Sequence, residues 1–127
     1  MNISSKEFND KLLAGKHLPS GLVVNGDLDL SECTSLTHLP SGLVVKGWLD
    51  LEGCTSLTHL PSGLVVEGEL YLVGCTGLTH LPSGLVVGGY IYCDKDLIDT
   101  IPKEDLPLYL NFKFEDYIHE YLIKRIQ

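Results

Sequence analysis

The chain has 127 residues, 44% of them apolar, enough for one domain with a continuous core. Its 17 Asp and Glu against 9 Lys and Arg leave a net charge of −8, which opposes nucleic acid and anionic membranes, since both need a basic face that releases counterions. Neither a run of 18 apolar residues nor a basic start followed by a hydrophobic segment occurs, so the expectation is no membrane span, no conventional signal peptide and a cytoplasmic location.

Ser4-x-x-Glu7 ahead of Phe8, Leu12 and Leu13 is a capping box before an apolar stripe, and Gly15 is a natural terminator. The pattern predicts a short helix over residues 5–14, with Ile3 packing back on Phe8. Residues 1–16 therefore read as an N-terminal helical cap whose apolar side covers the open end of the first repeat.

His17 opens a string that returns at His38, His59 and His80, a period of 21 residues. Such a period means stacked coils, each burying its apolar face only against its neighbours. Within Val45-Lys46-Gly47-Trp48-Leu49-Asp50-Leu51 apolar or small residues alternate, predicting a strand with Val45, Gly47, Leu49 and Leu51 inward and Trp48 and Asp50 outward. Leu39-Pro40-Ser41-Gly42, with Pro second and Gly fourth, has the preferences of a type I turn. A coil this short cannot hold both a strand and a long helix, so stacking gives a parallel sheet with strands roughly 4.8 Å apart.

Leu49-x-Leu51-x-x-Cys54-x-x-Leu57-x-x-Leu60-Pro61 resembles the strand-and-turn segment of leucine-rich repeats, in which Leu-x-Leu marks the strand and an Asn or Cys begins the turn. Leu28, Leu30, Cys33, Leu36, Leu39 and Pro40 repeat the motif, as do Leu70, Leu72, Cys75, Leu78, Leu81 and Pro82. The resemblance covers roughly residues 17–102 and is to the short Leu-Pro type of bacterial proteins, some secreted effectors among them; effectors exported by specialised machinery can lack a cleavable signal, which leaves delivery into a host cell open. It departs at Asn25, Lys46, Glu67 and Gly88, where the family's first strand leucine falls, with valine one residue earlier and glycine one later. A parallel β-helix-like coil is therefore the alternative. The resemblance also implies a buried thiol column at Cys33, Cys54 and Cys75; Cys93 falls in the column of Leu30, Leu51 and Leu72, and all four read as reduced small hydrophobes.

The fourth coil is degraded. Asp94 to Ile98 is one residue short of the earlier turn, and Ile98-x-x-Ile101-Pro102 restores the signature, so the four repeats span residues 17–108. Leu106, Leu108, Leu110, Phe112 and Phe114 alternate with mostly polar residues and predict a last strand. Ile118, Tyr121, Leu122 and Ile126 recur at helical spacing, so residues 109–127 read as a C-terminal strand and helix cap. The predicted fold is a repeat solenoid, mainly β, with a leucine-rich-repeat-like parallel sheet between helical caps.

Two columns invite a chemical reading. His17, His38, His59 and His80 stack one coil apart, but identical backbone sites roughly 5 Å apart do not converge on a shared metal at roughly 2 Å without bending. Cys54 precedes the turn to His59, yet the strand pattern puts the thiol inside and the histidine outside, with no carboxylate placed to orient it. Neither catalysis, a metal nor a cofactor is expected. The outward strand positions carry Asp27, Trp48, Glu69 and Tyr90 in one column and Asp29, Asp50, Tyr71 and Tyr92 in the next. Varied outward residues on an identical scaffold are what a recognition surface requires, and large aromatics among carboxylates are typical interface anchors. The expected function is a non-catalytic protein-interaction module, monomeric, meeting a basic or neutral protein partner through Trp48, Asp50, Glu69, Tyr71, Tyr90 and Tyr92. A structural, self-assembling repeat protein is the alternative, with an enzyme or metal binder using the His and Cys columns third.

Overall fold

A computed structural model, describing residues 1–82 and 84–127, is a parallel β-solenoid of four coils with a few helices at its ends. Each coil contributes two short strands instead of the single one predicted. Asn2–Ile3 (β1), Val23–Val24 (β2), Val44–Val45 (β4), Val65–Val66 (β6) and Val86–Val87 (β8) form one sheet in that order; Leu28–Asp29 (β3), Leu49–Asp50 (β5), Leu70–Tyr71 (β7) and Ile91–Tyr92 (β9) form the second. Every pairing is parallel, and between coils the register equals the repeat: Val44 lies beside Val65 and Leu49 beside Leu70.

A corner at Lys46-Gly47, and at its equivalents, divides the two sheets. Gly47 donates its N–H to the Gly26 carbonyl, Gly68 to Gly47 and Gly89 to Gly68, at 3.1, 2.9 and 3.0 Å, so the corner itself continues the coil-to-coil ladder. A Cβ at Gly68 would lie 2.9 Å from the Gly47 carbonyl carbon, which is why the column is glycine: backbones touch here. The inward and outward alternation survives the corner, with Val45, Leu49 and Leu51 fully buried and Trp48 and Asp50 partly exposed. The turn is shifted by one residue from prediction. The Leu64 N–H donates to the Pro61 carbonyl at 3.3 Å, so Pro-Ser-Gly-Leu is the four-residue unit, and Gly63, third in it, has φ +74° as a type II turn demands. In the fourth coil the corresponding Ser83 lies outside the described residues.

The N-terminal cap follows its sequence signals. Helix α1 (Ser5–Leu13) starts at Ser4, whose side chain accepts from the Glu7 N–H at 3.1 Å, and Ile3 and Phe8 are both buried. At its end the Gly15 N–H donates to Leu12 and the Lys16 N–H to Lys11, with Gly15 at φ +72°: a Schellman motif. The cap closes each sheet differently. The first gains β1 as an extra strand; the second has its outermost carbonyls, those of Asp27 and Asp29, taken by the Ser5 hydroxyl and the Asn9 amide, one helical turn apart on α1.

The C-terminal end departs from prediction. Helix α2 (Lys95–Asp99) occupies the shortened turn, and residues Lys103–Asn111 form a 3₁₀ helix where a strand was expected over 106–114. Leu106 and Tyr109 are buried while Leu108 is 61% exposed, a three-residue period that the alternating pattern concealed. Tyr109 decides it, because its hydroxyl reaches the Leu81 N–H at 2.9 Å and the Leu81 carbonyl at 3.2 Å. Only the last part of the expected strand pairs: Lys113 accepts from the Ile91 N–H at 2.8 Å and Phe114 bridges Ile91 in parallel, covering β9. Helix α3 (Asp116–Ile126) buries Ile118 and Leu122, and the Arg125 guanidinium donates to the Ile98 carbonyl at 2.6 Å.

Candidate interaction face on the second sheet

The in-register pairing of β3, β5, β7 and β9 turns single outward positions into columns. Leu28, Leu49, Leu70 and Ile91 point inward without exposure, so the residues beside them must point out. Asp29, Asp50, Tyr71 and Tyr92 form one column by direct pairing. Tyr71 and Tyr92 stack with centroids 4.9 Å apart, Trp48 meets Tyr71 edge-on at 6.4 Å, and Tyr90 joins Tyr92 at 6.4 Å. The four aromatics, contributed by three successive repeats, are thus one continuous patch, with Tyr90 half exposed.

The carboxylates do more than frame it. Asp50 accepts the Glu52 N–H at 2.9 Å, Asp29 accepts the Ser31 N–H and hydroxyl at 3.0 and 2.7 Å, and Asp27 accepts the Trp48 N–H at 2.9 Å. Each holds the turn after its strand or the start of the next coil's strand, a role the alternating pattern does not reveal. In the third coil the Gly74 N–H, whose equivalents at Glu32 and Gly53 donate to the Glu52 and Val73 carbonyls one coil on, donates instead to the Asp94 carboxylate at 2.9 Å. The Ser31 hydroxyl and then its N–H hold the Asp29 carboxyl below its usual range. Glu52 is pushed up, first by burial and then by the Asp50, Glu32 and Asp29 carboxylates. Among the described residues no cation pairs with Asp27, Asp29, Glu32, Asp50, Glu52 or Glu69; the ion pairs join Lys6 to Asp10, Lys11 to Glu7, Lys46 to Glu67 and Arg125 to Asp99. The face is negative, aromatic and electrostatically unbalanced.

The two other columns lie elsewhere. The four thiols are free, with Cys54, Cys75 and Cys93 buried and Cys33 half-buried. Cys54 donates to the Leu30 carbonyl at 3.1 Å and Cys75 to Leu51 at 3.0 Å, each a coil back, and burial pushes Cys54 up to about 11 and Cys75 and Cys93 to about 12. Such thiols are poor nucleophiles, because the thiolate is the reacting form. His38, His59 and His80 are exposed along an open groove of about 760 Å³, each with its Nδ1 within 3.1 to 3.2 Å of the preceding threonine hydroxyl. Cys54 and His59 are therefore on opposite sides of the coil wall, one inside and one outside. Comparison of the chain with family models, with curated proteins and with solved structures gives no match.

Proposed function

We propose that this protein is a non-catalytic protein-interaction module that meets a basic protein partner on the outward face of the second sheet. The observation that carries the reading is the continuous patch of Trp48, Tyr71, Tyr92 and Tyr90 set among carboxylates that, among the described residues, no cation pairs with. Aromatic faces bind cations and supply large contact area at little entropic cost, while unpaired carboxylates steer a basic surface toward them. Asp50 and Glu69 flank the aromatics and take the electrostatic part. The Leu-x-Leu-x-x-Cys motif supports grouping the chain with short bacterial leucine-rich repeat proteins, and a cytoplasmic setting, in the producing cell or in a host, suits its four unpaired thiols.

The test is affinity capture with wild type and with a Trp48→Ala, Tyr71→Ala double variant, followed by mass spectrometry at low and high salt. A partner retained by wild type, lost with the variant and weakened by salt supports the reading. Equal capture by both proteins removes this face from the function.

A further inference from the structure

The first sheet ends unevenly. At one end the chain's own β1 pairs with β2, whereas β8 at the other has, among the described residues, a strand neighbour on one side only. The C-terminal cap closes β9 through Lys113 and Phe114 and leaves β8 uncovered. Val86 donates its N–H to Leu64 at 3.1 Å and Gly88 to Val66 at 2.8 Å, so both face inward along the sheet, and Val87 between them turns its N–H and its carbonyl to the free edge.

Exposed edges are ordinarily guarded by charged or polar side chains. The interior coils carry Asn25, Lys46 and Glu67 after their valine strands, but the last coil, whose edge is the exposed one, carries Gly88. A Cβ at Gly88 would collide with the Glu67 carbonyl, so this glycine also lets the terminal strand lie close to its neighbour. Beside the edge, Val86 is 55% exposed, and Val86, Val87, Leu108 and Phe112 help line an open groove of about 320 Å³. Lys113, whose Nζ lies 3.5 Å from the Gly88 carbonyl, sits at the end of the strand, beyond the pairing residue.

We infer that the β8 edge is a contact between two copies of this chain, related by a two-fold axis through Val87. One outward residue offering both a donor and an acceptor is self-complementary: two antiparallel β8 strands exchange both Val87 hydrogen bonds. The same arrangement sets the exposed Val86 of each copy against Gly88 of the other, a side chain over a position that has none. End-to-end stacking fits less well, because Lys113 and Phe114 already occupy the β9 edge that α1 of a following copy would need. The dimer joins two first sheets into one and leaves both aromatic faces free, so the contact extends the monomeric module expected from the repeats into a bivalent one.

Light scattering over a dilution series tests this with wild type, Val87→Pro and Leu108→Glu, each checked for folding by circular dichroism. Proline at an edge position removes only the outward N–H, and Leu108 is too exposed to be needed for folding. Wild type is expected to approach twice the 14.0 kDa chain mass and level off, while both variants stay at 14.0 kDa. If Val87→Pro does not fold, Leu108→Glu decides alone. Wild type remaining at chain mass up to about 1 mM, mass growing without a plateau, or a folded variant associating as wild type does would each overturn the dimer.

Discussion

Tyr71 and Tyr92, 21 residues apart in the chain, lie in one stack with centroids 4.9 Å apart and ring planes 8° from parallel. The repeat period brings them together through the pairing of β7 with β9, so a surface contact reports directly on coil register. Tyr71→Ala and Tyr92→Ala should each lower stability, and the double variant should lose less than the sum by about 0.5 to 1.5 kcal/mol. Denaturant unfolding of the four proteins measures this coupling, and strictly additive losses would show that the stack contributes nothing.

Leu51 and Asp50 are neighbours with opposite fates. Leu51 is fully buried, so Leu51→Ala should cost about 2 to 5 kcal/mol. Asp50→Ala removes the side chain's acceptor for the Glu52 N–H and should cost about 1 kcal/mol, more than an idle surface change. Unfolding midpoints that coincide would reverse the assignment of inside and outside.

The turn role of Asp50 is one part of the molecule that alternation conceals. Period-two patterning identified which way Val45, Leu49 and Leu51 point, because side chains alternate along extended backbone whether or not it bends. For the same reason it could not detect the corner at Gly47, where a glycine contributes no side chain to the pattern and the coil turns onto a second sheet. Ser4 and Glu7 announced α1 because capping is local chemistry. The 3₁₀ helix over 103–111 was hidden because Tyr109 binds Leu81, 28 residues away, a tertiary contact that overrides local alternation. The aromatic columns were legible as columns; their fusion into one patch depended on ring orientations that no spacing encodes.

The thiols give a kinetic and a pH prediction. Cys33, half-buried, should alkylate first in the native protein, and Cys54, Cys75 and Cys93 slowly until denaturant is added. With their native values raised from 9.0 to about 11 or 12, the unfolded chain ionises first, so stability is whole below pH 9 and falls as pH rises toward 11. Mass spectrometry of partially labelled protein and melting curves from pH 7 to 11 check both. Uniform labelling rates, or a melting temperature that drops with reducing agent at neutral pH, would contradict the buried reduced column.

Glu52 sits where burial and the carboxylates of Asp50, Glu32 and Asp29 raise its native value. A raised acid favours the folded state while protonated and loses that contribution as pH climbs through its native value, so at pH 7 its charge opposes folding. Glu52→Gln should therefore melt at or above wild type at pH 7, with the difference closing toward pH 4, and added salt should raise the wild-type midpoint more. A variant that melts well below wild type at pH 7 would show that the carboxylate is held by a favourable contact.

The recognition role of the second sheet is tested most directly by calorimetric titration of the captured partner into wild type and into the Trp48→Ala, Tyr71→Ala variant at matched folding. Loss of two central aromatic anchors should weaken binding by at least about tenfold while the net charge of −8 is unchanged, so bulk attraction cannot account for the difference. Equal affinities for the two proteins would contradict the account and move the binding surface off this sheet.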